Sequence, residues 1–199
     1  MPSRKQAFIA ILTLSLALVI GVSALLYRSG GHLPVSAGEA LIGGPFSLTD
    51  QNGRRVSEKD FHGKYMLVFF GYTYCPDVCP TELQVMTEAL SQMGGKGEEV
   101  QPVFISVDSE RDKVETVKAY VENFSPRLMG LTGTAAEIAA VAKVFRVYYK
   151  KVENGAADAY LMDHSSILYL MDRSGKFAKH FSYTTDAKAL AEGLSAIVK

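Results

Sequence analysis

The chain has 199 residues, of which 48% are hydrophobic, and carries 21 Lys and Arg against 21 Asp and Glu. All 21 acidic residues follow Ser29, together with 18 of the 21 basic ones, and no basic cluster interrupts them. That mild acidic excess argues against nucleic acid as a partner.

After Arg4 and Lys5 no charged residue occurs until Arg28, and Gln6 to Tyr27 is almost wholly apolar. At 1.5 Å per residue this stretch reaches about 30 Å, enough to cross a bilayer core. Residues 1–28 are therefore expected to be an N-terminal membrane anchor, a single transmembrane helix. Basic residues before it put the N-terminus in the cytoplasm and the rest outside. The expected location is a bacterial inner membrane, single-pass, with the C-terminal domain in the periplasm or otherwise outside the cytoplasm. A cleaved signal peptide is the rival reading, but Val22-Ser23-Ala24 is a poor cleavage site inside the apolar run. Residues 29–44, with glycines, Pro34 and small side chains, read as a linker. Residues 45–199 are long enough for one domain with a single core.

Within the domain, Phe46 to Thr49 and Arg54 to Val56 flank Gln51-Asn52-Gly53, a hairpin turn signal. Tyr65 to Gly71 (YMLVFFG) is a continuous apolar run, as in a buried central strand. Pro80 suits a first helical turn, and Leu83, Met86, Leu90 and Met93 follow at helical spacing. Val103 to Val107 is a second buried strand, followed by a helix carrying Val114, Val117, Tyr120, Val121 and Phe124. Leu128 to Leu131 is a short strand, and Thr134 caps a helix from Ala135 to Phe145. Val147 to Val152 and Ser166 to Met171 are strands, and Lys176 to Phe181 returns antiparallel after a turn. Asp186 opens a last helix with Leu190, Leu194 and Ile197. Strands alternating with helices, then a hairpin and a terminal helix, give a layered α/β domain.

The only two cysteines lie in Gly71-Tyr72-Thr73-Tyr74-Cys75-Pro76-Asp77-Val78-Cys79-Pro80, where the first long strand meets its helix. Open α/β sheets place ligands at that carboxyl edge. A spacing of four is about one helical turn, so both sulfurs can face the same way. Two sulfurs held together suit a disulfide or a soft metal. The helix N-terminus favours thiolate, the species needed for either chemistry, although Asp77 between the cysteines opposes it. A purely structural bridge would close too short a loop to remove much unfolded-state entropy. Two thiolates complete a Cu(I) site, and a histidine as third ligand would admit Cu(II). Of the four histidines, His32 lies in the linker, His62 in a polar loop and His180 on a strand. His164, in Asp163-His164-Ser165, lies where a loop enters the strand Ile167 to Leu170 and could project toward a neighbouring loop or remain a surface residue. Asp163 could orient its imidazole or stay solvated. Asp108 and Arg111 are read as an ion pair fixing the loop after their strand.

Three motifs together resemble the Sco/SenC family of membrane-anchored, thioredoxin-like copper proteins. They are the Gly71 to Pro80 segment, Val107-Asp108-Ser109-Glu110-Arg111-Asp112 and Asp163-His164-Ser165, in the family's order and spacing. Ser109 stands where the family has proline, and Tyr74 where many members have histidine. The resemblance implies a thioredoxin-like fold, a central mixed sheet flanked by helices, with an N-terminal hairpin extension and an N-terminal transmembrane helix. It implies copper, Cu(I) and/or Cu(II), bound by Cys75, Cys79 and His164. It further implies a metallochaperone delivering copper to the binuclear copper site of cytochrome c oxidase, with the copper-bearing subunit or another copper or thiol protein as partner. The alternative is a thiol-disulfide oxidoreductase in which Cys75 and Cys79 keep the cysteines of a copper-site apoprotein reduced. Against general reductase activity, the spacing is CxxxC and no proline adjoins His164. A peroxide-reducing enzyme would need Thr-x-x-Cys, which Thr73-Tyr74-Cys75 does not supply.

Overall fold

The computed structural model describes residues 14–24, 42–156 and 159–199. The chain divides into two compact units, Met1–Ala40 and Leu41–Lys199. In the first, residues 14–24 form an exposed helix, α1. No helix among the described residues is long and apolar enough to cross a membrane. Residues 1–13 and 25–28 of the expected anchor lie outside the described residues, as does the linker up to residue 41.

The second unit is built on one seven-stranded sheet. Its strands are β1 (Ser47–Asp50), β2 (Arg55–Ser57), β3 (Tyr65–Gly71), β4 (Val100–Ser106), β5 (Met129–Thr132), β8 (Ile167–Met171) and β9 (Phe177–Ser182). They lie in the order β2-β1-β5-β4-β3-β8-β9. Strands β3, β4 and β5 are parallel, and the outer pairings are antiparallel, so the sheet is mixed as expected. The remaining pair, β6 (Tyr149–Ala156) and β7 (Ala159–His164), forms a separate two-stranded sheet. The helices are α2 (Val78–Gln92), the single turn α3 (Gly95–Glu98), α4 (Val114–Val121), α5 (Ala135–Phe145) and α6 (Ala187–Ser195).

All seven residues of β3 are buried, because the strand is paired on both edges and covered on both faces. Successive side chains leave a strand on opposite faces. Phe70 meets Phe145 of α5, centroids 5.3 Å apart, whereas Phe69 meets Phe104 of β4, which packs on Tyr120 of α4. Helices α2 and α6 pack on one another. Each buried phenylalanine contributes about 1.5–3 kcal/mol by leaving water.

The expected N-terminal hairpin is formed. Its turn is fixed by buried Asp50, whose carboxylate accepts from the N–H groups of Asn52 and Arg54, with Gly53 at φ +78°. Residues 42–44 already belong to the domain. Ile42 packs against the core, and the Gly43 N–H donates to the Val144 carbonyl at 2.8 Å. Strand β4 begins at Val100, three residues earlier than expected, and runs through Pro102. Proline is tolerated there because β5 pairs with β4 only from Val103 onward, so Pro102 has a partner strand on one side alone. Thr134 and Asp186 cap α5 and α6 as expected, their side chains accepting from Glu137 N and Ala189 N. The sequence reading missed β7, and it placed His164 at the entrance to β8. The structure puts His164 at the end of β7 instead.

Candidate metal centre

The site lies at the carboxyl end of β3. Cys75 sits in the loop after the strand and Cys79 in the first turn of α2, where the sequence placed them. Gly71 ends β3 without a side chain for a steric reason: a Cβ there would stand 2.8 Å from Cys79 Sγ and 3.0 Å from the Phe69 ring. The loop is tied down by Asp112, which is fully buried. Its carboxylate accepts from Thr73 N at 2.9 Å and from Thr73 Oγ1 at 2.6 Å, and it also receives Ser106 Oγ from the end of β4. Burial pushes the Asp112 carboxyl up, and these three donors pull it back toward the ionised form.

His164 arrives from the hairpin. Its Nε2 is 3.3 Å from Cys79 Sγ, and the ligating atoms of Cys75, Cys79 and His164 all lie within 4.8 Å of one another. Among the described residues no other group of three such side chains comes together. His62 adjoins Gly175, and His180 stacks on Phe177; His32 is outside the described residues. The imidazole stands edge-on to Tyr72 and Phe69, with centroids 5.8 and 6.0 Å away. Its Nδ1 faces the Ser165 carbonyl at 3.4 Å, a contact that orients the ring with Nε2 toward the sulfurs. Asp163 is exposed and pairs in register with Lys150; the group oriented toward Nδ1 is the Ser165 carbonyl.

The two cysteines are chemically unequal. Both are free thiols; Cys75 is half-buried and Cys79 has no exposed surface. A hydrogen bond from the Cys79 thiol, helped by His164 and by the backbone N–H groups of Asp77 and Cys79, holds Cys75 down at about 3, against a burial effect that raises it. The same thiol-to-thiolate hydrogen bond, with burial, pushes Cys79 up. The Cys79 N–H lies 3.3 Å from Cys75 Sγ, as a helix N-terminus allows. Asp77 is the N-cap residue of α2, though its side chain makes no capping bond, and its N–H favours the thiolate that its carboxylate was expected to oppose. Arg111 and Asp108 form the expected ion pair. Glu82, one turn beyond Cys79, is buried with Oε2 lacking a hydrogen-bond partner among the described residues, and burial pushes it up to about 7.

Two thiols and an imidazole, soft and borderline donors, converge where a helix N-terminus, a strand end and a hairpin meet. The donor chemistry fits copper in either common oxidation state. A family model, SCO1/SenC, matches residues 35–199. The chain belongs to the SCO1/SenC family. It is 48% identical over 160 residues to the mitochondrial SCO1 homolog 1 of Arabidopsis thaliana, covering 80% of this chain and 48% of that protein. A SCO2-like protein of Rickettsia prowazekii is 36% identical over 199 residues, covering 95% of this chain and 97% of its own length. The crystal structure of Arabidopsis thaliana ScoI with copper bound superposes with a TM-score of 0.75 at 46% identity, over 78% of this chain and 96% of that one. That likeness shows the thioredoxin-like fold. The chain spans about half the length of the plant, mouse and human relatives it matches.

Sequence reasoning missed four contributors at this SCO1/SenC site. Asp112 stands in a legible motif and Glu82 just beyond one, but nothing in a sequence says that a carboxylate is buried. Tyr72 is buried, and its hydroxyl also meets the Met162 N–H of β7 and Cys75. Arg111 was paired with Asp108, and its reach to the hairpin is a tertiary fact.

Proposed function

We propose that this chain is a copper metallochaperone: Cys75, Cys79 and His164 hold the ion, and the domain delivers it to the binuclear copper site of cytochrome c oxidase. The observation that carries the reading is the convergence of the three side chains within 4.8 Å. Family membership and the copper-bound plant relative support it. Cu(I) as cargo is satisfied by the two thiolates, and the imidazole extends the set to Cu(II). Only the dithiol can bind, so the redox state of the pair controls loading. Cys75 at the loop surface offers a thiolate that a partner's ligands can approach for exchange.

The N-terminal segment supports a single-pass membrane anchor with the domain outside the cytoplasm, as proposed from Arg4, Lys5 and the apolar run to Tyr27. The Rickettsia relative aligns across nearly all of this chain, consistent with a segment shared among bacterial members.

The unequal cysteines favour a second reading, a thiol-disulfide oxidoreductase. An accessible low-pKa Cys75 would attack a partner disulfide and release one partner thiolate, and buried Cys79 would then attack Cys75 and release the other. Absorption titration of the reduced soluble domain with Cu(II) separates the two. Thiolate-to-copper charge-transfer bands are expected at one ion per chain, absent in Cys75→Ser and Cys79→Ser, and His164→Ala is expected to lose Cu(II) while retaining Cu(I). Unchanged binding in the cysteine variants would overturn the chaperone reading; disulfide reductase activity that survives His164→Ala, without any copper bands in the parent, would establish the redox one.

A further inference from the structure

The hairpin β6–β7 delivers His164, yet its strands are not hydrogen-bonded into the seven-stranded sheet. Beyond the two-residue connection through Ser165 and Ser166 into β8, the 3.3 Å approach of Nε2 to Cys79 is held by side-chain contacts. Alternation puts Tyr160, Met162 and His164 on one face of β7, and Met162 is buried. The most heavily engaged of the three is Tyr160. The Arg111 guanidinium lies 3.5 Å from its ring centroid, Arg111 Nη1 donates to its carbonyl at 3.0 Å, and its hydroxyl donates to Asp108 Oδ1 at 2.8 Å. Asp108 in turn holds Arg111 Nε. The same guanidinium reaches the ring of Tyr74 at 4.7 Å, one residue before Cys75, and that of Tyr72 at 5.8 Å. One side chain thus touches the strand that ends in His164 and the loop that carries Cys75.

The arrangement uses properties that arginine alone combines. A planar cation can face an aromatic ring while its edge donates to Asp108 and to the Tyr160 carbonyl, whereas lysine offers a single point charge. Arg111 Nη2 is buried without a hydrogen-bond acceptor among the described residues. The guanidinium lies among tyrosine rings at the expense of one donor contact.

We propose that Arg111 is a positioning residue that holds His164 at the cysteine pair by clamping Tyr160 against the cysteine loop. The proposal rests on the copper reading for its consequence and on the geometry of the hairpin for its mechanism. Loss of the clamp frees β7, so Cu(II), which needs the imidazole, is affected, and Cu(I), which the two thiolates satisfy, is not.

The test uses the reduced, metal-free protein first. In Arg111→Gln, hydrogen exchange at amides 160–164 is expected to accelerate about tenfold, a change of about 1.4 kcal/mol and within the range of a buried cation–π contact. Amides of β3, β4 and β8 are expected to keep their protection. Tyr160→Leu removes the clamp from the other side and is expected to give the same pattern; it decides the matter alone if Arg111→Gln fails to fold. On Cu(II) titration both variants are expected to move toward the spectrum of His164→Ala at unchanged Cu(I) stoichiometry, and Arg111→Lys is not expected to restore the parent spectrum. Unchanged exchange at 160–164, or a loosened hairpin with a parental Cu(II) spectrum, overturns the proposal. Failure of the parent to bind copper at all would sink the copper reading while leaving the exchange result to judge the clamp.

Discussion

The seven-stranded sheet is held by ladders of backbone hydrogen bonds and by phenylalanines with no exposed surface, whereas the β6–β7 hairpin pairs with none of its strands and is held by side-chain contacts and its short connection into β8. Both supply proposed ligands to one site. Cys79 stands in the first turn of α2 and Cys75 in the loop between β3 and that helix, a loop anchored by buried Asp112 through Thr73. His164 stands on a two-stranded ribbon, and an isolated ribbon of that kind is marginal in water. The contrast divides the site into a rigid part, which fixes the two sulfurs, and an adjustable part, which decides whether the imidazole joins them. The proposed metal-transfer role gains from that division, because releasing one ligand need not disturb the fold.

The largest effect is expected in the sheet. Phe70 is fully buried between Phe145 and Tyr169, with centroids 5.3 and 6.2 Å away. Phe70→Ala is expected to cost about 3–5 kcal/mol in urea unfolding of the reduced domain. A loss below about 1 kcal/mol would mean that the core is not the rigid half of this comparison.

Glu82 gives the next effect, with a defined pH dependence. Burial raises its folded-state value to about 7, above the ordinary glutamate range of the unfolded chain. Between those values the folded state binds the extra proton, so stability falls as pH rises through the window and the penalty is complete above it. Glu82→Met is therefore expected to stabilise the domain by about 1–3 kcal/mol at pH 8 and to lose that advantage near pH 4. Thermal unfolding of both proteins across this range checks it, and a pH-independent difference would show that the carboxyl is not the cause.

The smallest effect is expected on the outer face of the hairpin. Leu161 is 41% exposed and pairs in register with Val152, itself 37% exposed. Leu161→Ser is expected to change stability by no more than about 0.5 kcal/mol, measured by the same unfolding. A larger loss would mean that the hairpin's outer face is packed and that the ribbon is less adjustable than its topology implies.

The elements that sequence reading found are those whose signal is local. YMLVFFG could only be a covered strand, Thr134 and Asp186 announced their helices, and Asn52-Gly53 marked a turn. Strand β7 escaped because Tyr160-Leu161-Met162 is a continuous apolar triplet that hides a period of two: Met162 is buried and Leu161 exposed. His164 was one of four histidines, and its position left a ligand and a surface residue both open. Family resemblance selected it, since nothing in its neighbourhood encodes a meeting with Cys79 some 85 residues earlier.

The sequence by itself determined the sheet's central strands, the helix that begins beside the second cysteine and the closeness of two sulfurs four residues apart, because hydrophobic periodicity and short spacing act within a few residues. That Cys75 lies in the loop before the helix rather than on its first turn is a structural finding. Tertiary structure alone decided which histidine faces them, which thiol is ionised and which is sheltered, and how Arg111 links the cysteine loop to the hairpin. Those outcomes depend on burial and on contacts between segments far apart in the chain, and only folding brings such segments together.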